Sequence, residues 1–257
     1  MGRIRYVFPN AVTSLSLCFA MGSVIMSIQG NLEWAAWLVL WCVLLDKADG
    51  SVARLLNATS DFGLQMDSLV DLVAFGVAPA ALIHAALSDA GTAGVQSMVS
   101  AGVVMIYVVC VASRLALYNV SPGASTSSTF RGIPSTLGGA IIASAYLTWS
   151  AHIGAPEVLS KAMPALLLIL GGLMISPFPL PKVAPRRNKA FNILQAGAIV
   201  ATYIIGFARI LPEFLFAEAF GYLLVGLCAG TMAARRAAEE AAEAEAETAA
   251  EAGDAPT

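Results

Sequence analysis

Eight apolar runs divide the chain, and residues that favour turns separate them. A membrane-spanning helix needs about 20 mostly apolar residues. Runs approaching that length occur near 11–28, 32–56, 63–88, 96–118, 133–152, 160–177, 190–208 and 213–233. The separators are Gly30-Asn31, Ser88 to Gly91, Ser121-Pro122-Gly123, Pro156, Pro177 to Pro185, and Pro212, all of them turn chemistry. The pattern predicts an all-α fold, a polytopic integral membrane helical bundle of about eight transmembrane helices. A six-span alternative needs two runs to lie flat or to re-enter, most readily in the last hairpin, where Pro212 follows Arg209.

Composition agrees with this pattern. Of 257 residues, 58% are hydrophobic and 12% charged, which excludes an ordinary water-soluble surface. The net charge of -3 misleads, because Glu239, Glu240, Glu243, Glu245, Glu247, Glu251 and Asp254 sit at the C-terminal end, and the rest of the chain is mildly basic. The sequence therefore divides into a membrane-embedded part, 1–232, and an Ala/Glu-rich low-complexity tail, 233–257. That tail has no apolar face to bury, so a solvated or disordered segment is expected, with a frayed helix as the alternative. No cleavable signal is evident at the N-terminus, and no nucleic-acid partner is expected. Cys18, Cys42, Cys110 and Cys228 are far apart in apolar runs and read as packed thiols.

Lys and Arg in short loops are retained on the cytoplasmic side. Arg3, Arg5, Arg131, Lys182, Arg186, Arg187, Lys189, Arg235 and Arg236 all fall on one side of an eight-span arrangement, against Lys161 and Arg209 on the other. Both termini are thus expected in the cytoplasm, with the end of span two and the start of span three facing it, in the cell inner or plasma membrane.

Charges within the spans carry the chemistry, because an ionised side chain in a bilayer costs several kcal/mol (~3 or more). In "DKADGSVARLLNATSDFGLQMDSLVD" (Asp46 to Asp71), the residues Asp46, Asp49, Gly50, Ala53 and Arg54 form one helical stripe, and Gly63, Asp67 and Asp71 a second. A short link at Asn57 to Asp61 lets the two helices pack antiparallel, so that four carboxylates converge. Such a set stays ionised only with cations between its members. Hard divalent ions, Mg²⁺ or Mn²⁺, prefer these oxygen ligands, and two of them clamp a phosphoryl group. Arg54 adds a fixed cation for phosphate, and Gly50, Ala53 and Gly63 open room for a ligand near the backbone.

The spacing D-x2-D-G-x2-A-R-x8-G-x3-D-x3-D, met at every fixed position by these residues, resembles the signature of the CDP-alcohol phosphatidyltransferases. The resemblance implies a six-helix core with two added spans, a CDP-linked lipid, release of CMP, two divalent metal ions and a homodimer. Carried over, it implies that Asp46, Asp49 and Asp67 bind one ion and Asp46, Asp67 and Asp71 the other, with Asp71 also the general base. Gly50, Ala53, Arg54, Ser60, Gly63, Asn10 and Thr13 would line the CDP site. Small residues such as Gly138, Gly139, Gly171 and Gly172 would allow close helix approach in a dimer. Intramembrane acids also occur in proton or cation transporters. CMP release, set against metal-dependent ion flux in liposomes, separates the two readings.

Softer matches concern the acceptor. "DSLVDLVAFGVAPA" (Asp67 to Ala80), "SRLALYN" (Ser113 to Asn119), "FRGIPST" (Phe130 to Thr136) and "LMISPFPLPK" (Leu173 to Lys182) are similar to segments of the serine-using branch of that family, and "PNAVTSLSL" (Pro9 to Leu17) to the N-terminal entry of the broader family. Leu117, Tyr118, Thr136 and Leu137 depart from it. The branch implies transfer of a phosphatidyl group from CDP-diacylglycerol to L-serine, with membrane lipid around the substrate. Glycerol 3-phosphate or an inositol phosphate is the alternative acceptor. Arg114, Arg131 and Lys182 are candidate donors to an acceptor carboxylate, or membrane-edge anchors. Asn119 and Ser135 are candidate hydrogen-bonding groups, or helix-end residues. His84 and His152 read as packed or interfacial, and Phe62, Phe75 and Phe130 as core.

Overall fold

The structure, a computed structural model, describes the backbone of residues 4–55, 61–91, 94–120, 129–181 and 189–253, and the side chains of 11–48, 62–91, 94–120, 132–178, 180 and 192–232. The helices are α1 (Ile4–Ile28), α2 (Leu32–Leu55), α3 (Asp61–Asp71), α4 (Ala78–Asp89), α5 (Val95–Val120), α6 (Ser135–His152), α7 (Pro156–Ile175), α8 (Lys189–Ala208) and α9 (Pro212–Gly253). A π-helical segment, Leu72–Val77, joins α3 to α4 in one rod, so eight helical rods stand among the described residues. This is the predicted all-α bundle. Five stretches are long and apolar enough to cross a membrane: Ala11–Ile28, Phe62–Asp89, Val95–Val120, Pro156–Ile175 and Pro212–Met232. The protein is a multi-pass membrane protein.

α6 lies at the centre. Every residue from Ile141 to Leu147 is buried, as expected of a helix apolar on all sides. α2, α7 and α9 pack around it, and α1 lies along α2. Glycines set several of these approaches. A Cβ at Gly139 would stand 2.9 Å from the Phe75 ring, one at Gly171 3.2 Å from Cys110 Sγ, and one at Gly138 against the end of Met174. Three of the four glycines expected to serve a dimer face are therefore used inside one chain, and Gly172 alone of the four has open space around its Cα.

The π segment has an identifiable cause. In an α-helix the carbonyl of residue 75 accepts the N–H of residue 79, and residue 79 is proline, which has none and whose ring crowds that carbonyl. The wider π turn relieves the crowding. The Tyr107 hydroxyl, from α5, donates to the Phe75 carbonyl at 2.8 Å. Both residues are fully buried, where an unpaired carbonyl costs about 1–3 kcal/mol.

Two three-residue strands, β1 (Thr129–Arg131) and β2 (Pro179–Pro181), form an antiparallel ribbon with Thr129 opposite Pro181 and Arg131 opposite Pro179. The ribbon was not expected from the sequence. It ties the loop before α6 to the loop after α7, extended by Gly132 N–H donating to the Phe178 carbonyl and Ile133 N–H to that of Leu173.

Other expectations need correction. α9 continues to Gly253, so the backbone of most of the Ala/Glu tail is helical, in keeping with the high helix propensity of Ala and Glu. Cys18 and Cys228 are exposed, while Cys42 and Cys110 are buried. Phe62 is exposed rather than core, whereas Phe75 is fully buried; the Phe130 side chain lies outside the described residues. His152 sits at the end of α6 opposite Glu213, 3.5 Å away.

Candidate active site

After Glu33 in its first turn, α2 is apolar from Trp34 to Leu45 and then turns charged, which places Asp46 within a helix rather than in a loop. Asp67 and Asp71 lie one helical turn apart on α3, and Asp71 is its last residue before the π segment. Carboxylate oxygens of Asp46, Asp67 and Asp71 all lie within 4.8 Å of one another, and all three side chains are half-buried. The expected convergence of acids from spans two and three is present for these three. Asp49, Gly50, Ala53 and Arg54 continue α2 in backbone, but their side chains, like that of Asn10 and all of Ser60, lie outside the described residues.

Span two and the third rod pack against each other as expected, through α2 against α4 and the π segment. Among the described residues α3 packs along α1, while α2 packs on α1, α4 and the π segment. The carboxylates therefore reach toward one another from two rods that share α1 as a common neighbour. Thr13, buried on α1, belongs to this neighbouring helix, and Gly63 is half-buried one turn before Asp67.

Two carboxylates at this separation repel by roughly 3 kcal/mol per ionised pair near a protein surface. Three all-oxygen donors gathered this closely fit a hard divalent ion such as Mg²⁺ or Mn²⁺, which would offset that repulsion. A cleft of about 290 Å³ lined by Ser27, His84, Ser88 and Asp89 lies near the far ends of α1 and α4 and shares no residue with the cluster.

The acceptor candidates fall in two places. Arg114 is 7% exposed on α5, and its Nε donates to the Ile133 carbonyl at 3.2 Å, with the guanidinium 5.4 Å from the Tyr118 ring centroid. Ser135, also buried, opens α6 two residues beyond Ile133. Arg131 is on β1, its side chain outside the described residues, and Lys182, next after β2, lies wholly outside them. The ribbon thus brings together the backbones of 130–136 and 173–181, from two segments that the sequence presented as separate motifs. Asn119 is elsewhere. Its Nδ2 donates to Ser68 Oγ at 2.9 Å, and Ser68 Oγ donates to the Leu64 carbonyl at 3.1 Å, so Asn119 bridges α5 to α3 beside Asp67.

Sequence reasoning passed over Tyr107, Ser68 and Gly132. Gly132 has φ +71, and a Cβ there would lie 2.4 Å from the Met174 carbonyl oxygen, so no larger residue fits this turn. The signal for Tyr107 was present in Pro79, whose position four residues after Phe75 leaves a helical carbonyl without its α-helical donor.

Residues 6–176 match the CDP-alcohol phosphatidyltransferase family. The chain is similar to the CDP-diacylglycerol--serine O-phosphatidyltransferase of Helicobacter pylori, 34% identical over 177 residues, 68% of this chain and 72% of that protein. It is similar to the archaetidylserine synthase of Methanothermobacter thermautotrophicus, 34% identical over 177 residues, covering 68% and 70% of the two chains. A third relative, the CDP-diacylglycerol--serine O-phosphatidyltransferase of Mycobacterium tuberculosis, is 34% identical over 137 residues, 51% of this chain and 46% of that protein. With the matched region spanning the acidic cluster and α1 through α7, the chain belongs to the CDP-alcohol phosphatidyltransferase family.

Proposed function

We propose that the protein transfers the phosphatidyl group of CDP-diacylglycerol to the hydroxyl of L-serine, giving phosphatidylserine and CMP. The observation that carries the reading is the meeting of Asp46, Asp67 and Asp71 within 4.8 Å in a chain of this family. The choice of serine is supported by relatives from bacteria and an archaeon whose names specify a serine-derived product or a serine acceptor.

Asp46, Asp49 and Asp67 would hold one divalent ion and Asp46, Asp67 and Asp71 a second. When bound, such ions offset negative charge on phosphate oxygens. Asp71 accepts the proton of the serine hydroxyl as its oxygen forms a bond to the lipid-side phosphorus; the bond from that phosphorus to the CMP oxygen breaks, and CMP departs with the electron pair. Gly50, Ala53, Arg54, Ser60, Gly63, Asn10 and Thr13 form the CDP site. Arg114, Arg131, Ser135 and Lys182 serve the acceptor, with Arg114 anchored near Ser135 through Ile133. Asn119 acts from the α3–α5 bridge.

The acyl chains remain in the bilayer while the CDP head enters from the cytoplasmic side, where both termini lie, in keeping with the basic loops on that side. A homodimer is the proposed assembly. The test is to give purified protein labelled CDP-diacylglycerol with serine, glycerol 3-phosphate or inositol phosphate in turn. Serine alone should yield a phosphatidylated product with equimolar CMP. Turnover with one of the phosphorylated acceptors and none with serine would overturn the assignment.

A further inference from the structure

We propose that Tyr107 is a positioning residue for the carboxylate cluster, holding Asp71 in place through the π turn that follows it. The proposal rests on the reading of Asp67 and Asp71 as metal ligands. Asp71 is the residue immediately before the π segment, so any change in that segment's path moves the carboxylate at its start. One extra residue in a helical turn rotates everything beyond it by about 100° relative to an unbroken α-helix. The π turn therefore fixes the angle between the face carrying Asp67 and Asp71 and the face of α4 that is buried in the core.

Three neighbours grip the segment. Tyr107 donates its hydroxyl proton to the Phe75 carbonyl at 2.8 Å. Val111, one turn further along α5, stands 3.3 Å from where a Cβ of Gly76 would be, and Gly139 of α6 lets the Phe75 ring sit against the α6 backbone. Tyr107 is the polar member of the three and is 0% exposed. Pro79 withholds the N–H that an unbroken α-helix would offer residue 75, and the tyrosine hydroxyl donates to that carbonyl from a neighbouring helix. The same buried stripe of α5 carries Arg114, whose Nε holds the Ile133 carbonyl. One helix face thus fixes both the start of α6 and the turn behind Asp71.

Tyr107→Phe keeps the ring and removes the hydroxyl. Loss of a partner that orients a metal ligand typically weakens metal affinity or activity by 10–100-fold. In the purified full-length protein, Mn²⁺ binding followed by electron paramagnetic resonance should weaken by about tenfold or more. Hydrogen exchange in the metal-free protein should rise in residues 72–80 and remain unchanged at the outer end of α6. Gly139→Ala, which would press a methyl to 2.9 Å from the Phe75 ring, disturbs the same turn from the other side and should reproduce the loss of Mn²⁺ affinity. It keeps the proposal testable if Tyr107→Phe folds poorly. Trp149→Phe, which removes a bond to the Ala155 carbonyl far along α6, should leave Mn²⁺ binding unchanged.

Asp67→Ala separates the two levels of inference. If Asp67→Ala abolishes Mn²⁺ binding while Tyr107→Phe binds as tightly as the unaltered protein, Tyr107 is not a positioning residue and the metal site stands. If Asp67→Ala itself binds Mn²⁺ normally, the metal reading fails and takes the proposal with it.

Discussion

At the scale of single residues, three carboxylates within 4.8 Å make distinct demands on Asp46, Asp67 and Asp71. Asp71→Asn keeps size and shape but cannot accept a proton. It should cut CMP formation by at least about 100-fold, the lower range for loss of general-base catalysis, with CDP-diacylglycerol binding largely preserved. CMP release and lipid binding measured on the same preparation check this, and near-normal turnover would remove Asp71 from the base role. EDTA should stop the reaction, and added Mn²⁺ or Mg²⁺ should restore it; full activity after exhaustive metal removal would rule out the metal-dependent account. Gly132 makes a different kind of demand. Its φ of +71 and the 2.4 Å approach of a Cβ to the Met174 carbonyl combine backbone strain with overlap against an atom that cannot rotate away. Gly132→Ala should lose at least about 2 kcal/mol of stability, read as a fall in unfolding temperature, with the ribbon between β1 and β2 disturbed first.

At the scale of elements, a glycine's effect depends on what its missing side chain admits. Gly171 lets α7 approach α5 at Cys110, whereas neighbouring Gly172 faces open space. Gly171→Ala should therefore destabilise by about 1–3 kcal/mol through overpacking. Gly172→Ala should be neutral or stabilising by up to about 1 kcal/mol, because alanine is the better helix former. Thermal unfolding of the two variants distinguishes these outcomes, and a large loss from Gly172→Ala would reveal a contact at that face. The rods were legible because apolar runs of spanning length, broken by Gly and Pro, have few alternative folds in a bilayer. The acidic cluster was legible because Asp67 and Asp71 repeat at the helical period and stand out in apolar surroundings. The π turn was not, since helical periodicity says nothing of a local change in pitch, although Pro79 marks the place. The ribbon was hidden for another reason: strands of three residues, one with Pro179 and Pro181 at its ends, carry the signature of a turn. Pairing between segments more than forty residues apart in sequence leaves no local trace.

At the scale of the whole molecule, the family match ends at residue 176, so the part played by α8 and α9 must be sought in their contacts. α8 is fastened to α2, the helix carrying Asp46. Trp41 Nε1 donates to the Gly206 carbonyl at 2.9 Å and Tyr203 OH to the Leu44 carbonyl at 2.9 Å. Arg209 caps the far end, its guanidinium 3.9 Å from the Trp34 ring centroid. Leu44 is two residues before Asp46, close enough for this attachment to brace the helix that carries it, yet both bonds end on backbone carbonyls, of Gly206 and Leu44, and neither involves the Asp46 carboxylate. The double variant Trp41→Phe/Tyr203→Phe removes both donors and should cost about 1–3 kcal/mol of stability, two hydrogen bonds at about 0.5–1.5 kcal/mol each. CMP release well below the unfolding temperature should remain within about twofold of the unaltered protein. Deleting 233–257, which lies beyond the last span, should change neither quantity. Thermal unfolding in detergent together with CMP release measures both. A fall in turnover far larger than the fall in stability would mean that α8 does more than support α2, and sets where Asp46 stands.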